Sequence, residues 1–508
     1  MLLFGTLGLI ATFFGVAVGH LVASWGNPAF APITVVASSA IDLPPAVVKE
    51  WAVQTFGTAT KSVVVTVVSL AVVVLAILAG ICARRRMVVG VLILIGVAAI
   101  GLLAAVARPD DGLLATIPVL VAGVASVVAL IALVRLALAA TPTAHSTGQV
   151  PSGSRRSVLL GALGFAGLGA IALAGSTAFT KRVGPATVGG PSAAASLNAG
   201  PSTPAVPKGV LAPIVGLPPF ITPNDEFYRI DTAVVVPQVS AERWTLEFGG
   251  MVRAPFTLTF AELMRLPMIE RDVTIMCVSN PVGGDYIGTA RWTGTPLMPL
   301  LTRAGLDAGA DQLFSTSIDG WTCSTPLADL AGREPMLAVA MNGEPLPVEH
   351  GYPVRMIIPG LYGFISATKW VASIEAATYA DMPAYWSMRG WATDAPVLTG
   401  SVIRVPGSGV IAAGPANLGG VAWAMDGDGV SRVEVQIDDG PWQEARLADA
   451  MNAVTWRQWW FPWQATPGVH VARVRATNGR GEVQTGTERD VIPAGATGWH
   501  AIAFEVSA

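Results

Sequence analysis

A chain of 508 residues that is 52% hydrophobic and 13% charged is too apolar to be soluble along its whole length, because an average globular chain is about a quarter charged. A formal net charge of −3 with no long basic run argues against a nucleic-acid binder. Three cysteines, Cys82, Cys277 and Cys323, are too few for a disulfide scaffold and include no Cys-x-x-Cys. The apolar excess lies in the first third, and the remainder has room for two globular domains.

Four long apolar runs come first: Leu2 to Ala23, Ser62 to Cys82, Met87 to Val106 and Leu113 to Ala139. A fifth, rich in Gly and Ala, runs from Val158 to about Ala174. Each approaches the ~20 residues that cross a hydrocarbon core as a helix. The pattern predicts a five-helix transmembrane anchor over residues 1–176. Arg84, Arg85 and Arg86 link spans two and three, and Arg155 and Arg156 precede span five, whereas the opposite loop, ARPDDG at 107–112, is not basic overall. The positive-inside bias then puts the N-terminus in the cytoplasm and everything after about residue 176 on the extracytoplasmic face. The stretch SRRSVLL, Ser154 to Leu160, also looks like a twin-arginine export signal placed internally, a route that carries folded proteins. Only His20 lies in or beside a span, so the helices offer no bis-histidine haem site.

Residues 177–212 are mostly Gly, Pro, Ser and Ala and read as a linker. From 213 to 395 the chain mixes strand-like runs (TAVVVP, WTLEFGG, DVTIMCV, PVRMIIPG) with helical patterns such as AELMRL and LMPLLTRAGL, an α+β domain. From 396 to 508 short alternating strands are separated by Gly, Asp and Asn turns, with Asp-Asp-Gly at 438–440 as a hairpin turn. That spacing predicts an all-β, immunoglobulin-like sandwich without its cysteine pair. Trp456, Trp459, Trp460 and Trp463 are concentrated in one segment, two suited to the core and two to a partner surface.

Cys277 ends the apolar run in TIMCVSNPVGG and admits three readings: half of a disulfide with Cys323, a buried core thiol, or a metal ligand. Zinc is disfavoured, because there is no His-Glu-x-x-His and the five histidines are scattered. A serine hydrolase is disfavoured by the lack of Gly-x-Ser-x-Gly.

Three ordered motifs decide between these readings by resemblance. CVSNPVGGDYIGTARWTGTPLMPLL, with Trp292, Gly294, Pro296 and Leu297, is similar to the cysteine loop of the sulfite oxidase family of molybdenum-cofactor enzymes. MNGEPLPVEHGYPVRMIIPGLYGFISATKWVASIE, Met341 to Glu375, resembles that family's His-Gly-x-Pro-x-Arg and Lys-Trp pattern. PNDEFYRIDTA, Pro223 to Ala233, is like the segment that meets the pterin. The resemblance covers about 213–508 and implies a molybdopterin-binding oxidoreductase domain followed by an immunoglobulin-like dimerisation domain. It assigns molybdenum to Cys277 and the pterin to Arg355, with Asn224, Tyr228, Arg229, His350, Ser366, Thr368 and Lys369 beside it. A soft thiolate suits a high-valent oxo-metal, and guanidinium forks suit the pterin phosphate.

There are departures from the family. Val278, Ser279 and Asn280 stand where animal and plant sulfite oxidases carry a basic stretch. Ile365 or Ser366 replaces a substrate-facing Arg, and Trp321, Thr322 and Cys323 stand where a Tyr faces the metal. An anion needs paired cationic donors, which leaves sulfite itself in question. The expectation is therefore a membrane-anchored, extracytoplasmic enzyme that transfers an oxygen atom to or from a small, sulfur-containing substrate. Electrons would pass to a separate partner, a haem protein or a quinone system, and the C-terminal domain would pair two copies. The alternatives are sulfoxide reduction on the same cofactor, or a cofactor-free surface protein that binds a partner.

Overall fold

The structure, a computed structural model, describes residues 1–26, 28–44, 48, 51–52, 55–56, 60–106, 112–140, 152–182, 205–407 and 410–508. The loop at 107–111 and most of the Gly/Pro/Ser/Ala linker lie outside the described residues. The chain divides into two compact units, Met1–Val188 with Thr232–Gln238, and Gly189–Asp231 with Val239–Ala508.

The first unit is helical. Helices α1 (Leu2–Trp25), α3 (Thr60–Arg85), α4 (Met87–Val106), α5 (Thr116–Ala139) and α6 (Ser152–Arg182) are each long and apolar enough to cross a membrane. Their hydroxyls are satisfied within the helix: Thr12 Oγ1 donates to Gly8 O at 3.0 Å and Ser126 Oγ to Ala122 O at 2.8 Å. Gly8 and Gly80 bring α1 and α3 so close that a Cβ on either would run into the other's backbone. Helix α2 (Pro32–Asp42) was not expected from the sequence. It has only 11 residues, too few to cross a bilayer, and buries Val35 against Ala104, Ala105 and Val119. Helix α6 continues to Arg182, past the end of the apolar run that marks it in the sequence.

The second unit holds four sheets. One has the order β2-β1-β10-β5-β6, built from β1 (Thr245–Gly250), β2 (Phe256–Thr259), β5 (Gln312–Ser317), β6 (Thr322–Pro326) and β10 (Val371–Ala377). A second has the order β3-β4-β7-β8 with β9 on β7, from β3 (Ile269–Met276), β4 (Ile287–Pro296), β7 (Met336–Met341), β8 (Glu344–Pro345) and β9 (Arg355–Ile357). Short helices α7 (Phe260–Leu263) and α8 (Met298–Ala304) fall on the two helical patterns, α7 closed by a Thr259–Glu262 capping box. The run TAVVVP at 232–237 forms no strand. Its β-branched composition suits a strand, but among the described residues it pairs with no strand, and Thr232–Gln238 groups with the first unit.

The C-terminal residues form two further sheets. Their orders are β11-β13-β17-β16 and β12-β19-β18-β14-β15, with β11 (Gly400–Val405), β13 (Gly414–Trp423), β16 (Arg446–Leu447) and β17 (Arg457–Ala465) in the first and β12 (Val410–Ala412), β14 (Val430–Ile437), β15 (Gln443–Glu444), β18 (Gly468–Asn478) and β19 (His500–Ser507) in the second. Leu418, Trp459 and Phe461 from one sheet and Val433, Val474 and Phe504 from the other share one core. Trp456 and Trp459 are buried, whereas Trp460 and Trp463 are half-buried.

Trp459 is fully buried at 0% exposure, and its indole Nε1 has no hydrogen-bond partner. Truncation to alanine removes a large core side chain and leaves a cavity, whereas phenylalanine keeps most of the volume and removes the unsatisfied donor. Trp459→Ala should cost about 3–5 kcal/mol and Trp459→Phe much less, measured as the thermal midpoint of the purified chain.

Candidate active site

The β3–β4 register pairs Met276 with Ile287, and the ladder runs one step further: the Cys277 N–H donates to Tyr286 O at 2.9 Å. Cys277 therefore opens a loop that Tyr286 closes. Asn280 fastens both ends of it. Its N–H donates to Cys277 O at 3.1 Å, and its Oδ1 accepts from the Tyr286 N–H at 2.8 Å. Its amide Nδ2 is buried without a partner. Strand β3 is buried on both faces from Asp272 onward, although polar Asp272 and Thr274 alternate with Val273 and Ile275 in its sequence.

Cys277 and Cys323 are not joined in a disulfide. Cys323 sits on β6 in a fully buried place, where burial pushes its thiol up to about 11 despite hydrogen bonds with Thr368, Ser315 and Thr325. A thiol so masked is a core residue. Cys277, 9% exposed, stands among ionisable groups instead.

The second and third motifs meet beside it. His350 closes a short 3-10 turn (Val348–His350), and its Nε2–H donates to Asn224 O at 3.1 Å. Arg355 begins β9, and its Nη1 donates to His350 O at 3.4 Å. Its guanidinium also lies over the Trp292 ring, 5.3 Å from the centroid. Tyr228 is near enough to Cys277 and Arg355 to feel both charges. Lys369 Nζ donates to Asp231 Oδ2 at 2.7 Å and to Glu349 O at 3.1 Å, while the half-exposed Arg229 donates to the same Asp231 oxygen at 2.9 Å.

Burial dominates the electrostatics. It lowers the Arg355 guanidinium to about 10 and the Lys369 ammonium to about 8, the latter opposed by Asp231. It lowers His350 to about 4, with Arg355 and Lys369 adding repulsion, so the imidazole is neutral at neutral pH. Tyr228 is pushed upward by burial and then by Cys277, against the pull of Arg355. Arg355 is 94% removed from solvent yet forms no ion pair among the described residues, and its Nε is an orphaned donor. An uncompensated buried cation is costly unless an anion occupies the adjoining space. A phosphorylated pterin dithiolene fits this donor set: two desolvated cations, a neutral histidine and a soft sulfur.

Two of the expected site residues spend their hydroxyls inside the protein. Ser366 Oγ donates to Leu361 O and Tyr362 O, and Thr368 Oγ1 hydrogen-bonds Ser315 Oγ at 2.6 Å. They shape the wall through packing and backbone; Ser366 O and Thr368 O accept from the N–H groups of Ile358 and Met356. Arg291 is committed to a bidentate pair with the buried Asp272 across the β3–β4 ladder. Asp231 and Asn342 were not singled out from the sequence. Asn342, at φ 56°, donates from Nδ2 to Asn224 Oδ1 at 2.8 Å and so orients the partner of His350. Its Asn-Gly turn was visible in the motif, but the long-range partner was not. A cleft of about 200 Å³ opens beside the cysteine loop, lined by Met276, Asn280, Val282 and Tyr362 on one side and Ser401 and Gln484 on the other. No lysine, arginine or histidine lines it, and its one charged lining residue is Glu482.

Among the described residues no group of three or more His, Cys, Asp or Glu is placed to hold a metal. The family described as "Oxidoreductase molybdopterin binding domain" matches residues 233–386. A Bacillus subtilis protein described as the uncharacterized oxidoreductase YuiH is 30% identical over 175 residues, which are 34% of this chain and 85% of that protein. Mouse mitochondrial sulfite oxidase is 29% identical over 47% of this chain and 52% of its own length, so the chain spans about half of that relative. The sulfane dehydrogenase SoxCD of Paracoccus pantotrophus shares the fold, with a TM-score of 0.50 and 24% identity over 56% of this chain and 80% of that one. With the cysteine loop, the desolvated guanidinium and these matches in one domain, the chain belongs to the sulfite oxidase-like family of molybdopterin-dependent oxidoreductases.

Proposed function

We propose that this protein is a membrane-anchored enzyme whose outer unit transfers an oxygen atom to or from a small sulfur-containing substrate. The observation that carries the reading is the Arg355 guanidinium, buried in the same unit as Cys277 with no ion pair among the described residues and only the longer-range pull of Tyr228 and Asp231 to offset it. The molybdenum cofactor, when bound, supplies the two-electron change and the oxygen-atom exchange. Cys277 supplies one thiolate to the metal. Arg355 would hold an anionic group of the pterin, with Lys369, paired to Asp231, beside the pterin, and Arg229 at the exposed edge. Asn224 and the neutral His350 hold each other in register, Tyr228 closes the wall between Cys277 and Arg355, and Ser366 and Thr368 support it from behind.

The five apolar helices support a multi-pass anchor, with the Arg-rich links in the cytoplasm and the catalytic residues on the extracytoplasmic face. On this reading residues 1–176 are the anchor, 177–212 the linker, 213–395 the molybdopterin-binding domain and 396–508 an immunoglobulin-like domain that pairs two copies. A haem protein or quinone system, docked from outside the chain, exchanges the electrons. Residues Arg155 and Arg156 fit a twin-arginine route, which would export the outer unit folded and loaded.

The uncharged Val278, Ser279 and Asn280 that follow Cys277 favour one specific form of this activity, reduction of an uncharged sulfoxide. An anion such as sulfite gains from paired cationic donors, which this stretch does not supply. With artificial dyes as electron donor and acceptor, sulfoxide reduction should exceed sulfite oxidation in kcat/KM. The reverse ranking would return the assignment to sulfite.

The purified wild-type chain should contain one molybdenum per chain. Cys277→Ser should lose nearly all of it and Arg355→Met most of it, by elemental analysis of folded protein. A Cys277→Ser variant that keeps its molybdenum would reject the ligand assignment.

His350 also leaves a signature in stability. Its folded value of about 4 lies below the ~6.5 of the unfolded chain. Between these values the unfolded state binds the extra proton, so stability is lost as pH falls from about 6.5 to about 4, and nothing changes above that window. For the cofactor-free chain the loss should be about 2–3 kcal/mol by denaturant titration. His350→Gln, which retains a donor toward Asn224 O, should flatten it.

A further inference from the structure

We propose that the C-terminal sheets act as a clamp that sets the position of the Cys277 thiol, with Arg404 as the positioning residue. This rests on the reading of Cys277 as the metal ligand and adds a role to the domain that follows it.

The grip falls on both sides of the cysteine. Upstream, the outer edge of β3 is covered by the segment 452–456. Asn452 Nδ2 donates to Asp272 O at 2.9 Å, the Thr274 N–H donates to Val454 O at 3.0 Å, and the Trp456 N–H donates to Thr274 Oγ1 at 2.8 Å. Downstream, Arg404 reaches from β11 into the cysteine loop. Its Nη1 donates to Gly283 O at 3.1 Å and its Nη2 to Gly284 O at 2.9 Å, and Nη2 pairs with Asp285 Oδ1 at 2.6 Å. One planar fork thus holds two successive carbonyls, which a lysine cannot reproduce.

The glycine pair is what permits this. Gly283 has φ +82°, and a Cβ there would run into the His500 imidazole. That ring is itself pinned, because its Nδ1 accepts from the Ile403 N–H at 3.0 Å. A Cβ on Gly284 would run into Asn280 Oδ1, the atom that ties the loop to Tyr286. Strand β11 therefore carries both the Arg404 fork and the backbone donor that fixes His500. The loop that starts at Cys277 is seated by β11 at residues 283–285, and its strand is seated by 452–456 at residues 272 and 274. Groups that orient a metal ligand in this way govern how well it is held.

The test uses the full chain, cofactor-loaded and cofactor-free, with Arg404→Met, Arg404→Lys and Asp285→Asn. In Arg404→Met, amide exchange over 278–286 should accelerate about tenfold or more in both forms. Exchange in β13 and β17 should be unchanged. In the loaded form kcat should fall about tenfold with KM within about threefold, and the Mo(V) paramagnetic-resonance spectrum should change. Arg404→Lys should be intermediate. Asp285→Asn should stay near wild type, since Asp285 is 85% exposed and an exposed ion pair contributes little.

A folded Arg404→Met with wild-type exchange, kcat and spectrum would overturn the clamp. So would an Asp285→Asn effect equal to that of Arg404→Met. If Arg404→Met does not fold, Arg404→Lys and Gly283→Ala, which displaces His500, decide by the same exchange measurement. Molybdenum retained by Cys277→Ser would instead reject the ligand reading, while exchange in the cofactor-free chain would still report on the grip itself.

Discussion

A guanidinium withdrawn from water with no carboxylate beside it is the interaction around which the second unit is organised. Arg355 cannot shed its proton at physiological pH, even with its affinity lowered to about 10. Tyr228 and Asp231 offset its burial only in part and without an ion pair, which leaves room for an anion from outside the chain. Trp292 gives it a π face and His350 one carbonyl at 3.4 Å, and its Nε remains without a partner. Nearby, Lys369 shows the alternative: an equally buried cation that the chain does pair, with Asp231 at 2.7 Å. The contrast between these two cations marks the side of the pocket kept for an anion. Burial keeps His350 neutral beside them, and repulsion from Arg355 and Lys369 adds to it.

The thiol stands where strand geometry can hold it. Cys277 is the first residue past a strand that is paired on both edges, by β4 along its length and by residues 452–456 at Asp272 and Thr274. A strand end so fixed has little freedom in direction, and the following loop is closed by one amide, Asn280, that reaches both of its ends. The departures from the family's basic residues then take on a structural meaning. Val278, Ser279 and Asn280 follow the cysteine without adding charge, and the cleft alongside has neutral walls with one acid. The cations Arg355 and Lys369 do not line that cleft.

Much of this was legible in the sequence, for reasons that differ by element. The five long helices need only an apolar run of sufficient length, which is a composition signal, so their positions agree with the structure within a few residues at most ends. Strand β3 and Cys277 were legible because Val273, Ile275 and Met276 make a short β-prone apolar cluster that ends at the cysteine. Helix α2 was missed because eleven residues containing Thr34, Ser38 and Ser39 resemble a loop, and its burial against α4 and α5 is a long-range fact. The run TAVVVP was misread because β-propensity carries no information about whether a partner edge exists. Within the site, resemblance brought Asn224, His350 and Arg355 together correctly in the chain. It could not show that Ser366 and Thr368 turn their hydroxyls away into backbone and side-chain bonds, or that Asp231 is the carboxylate shared by Arg229 and Lys369.

The buried cation also bears on the order of assembly. A pocket with an unpaired guanidinium is less stable closed and empty than closed and filled, by whatever the bound anion contributes at its free concentration. Binding and folding of the second unit are therefore linked, and the cofactor stabilises the closed domain as much as the domain retains the cofactor. On the proposed topology the unit works on the side of the membrane away from where a pterin is made. A chain exported unfolded would have to close around Arg355 with no anion at hand. A chain exported folded carries the anion with it, and the same buried charge that makes the empty form unfavourable then makes loss of the cofactor slow. On that reading the Arg pair near the start of α6 and the Arg355 site, far apart in sequence, would answer one requirement. A site that depends on a captured anion must be filled before its protein leaves the compartment that supplies it.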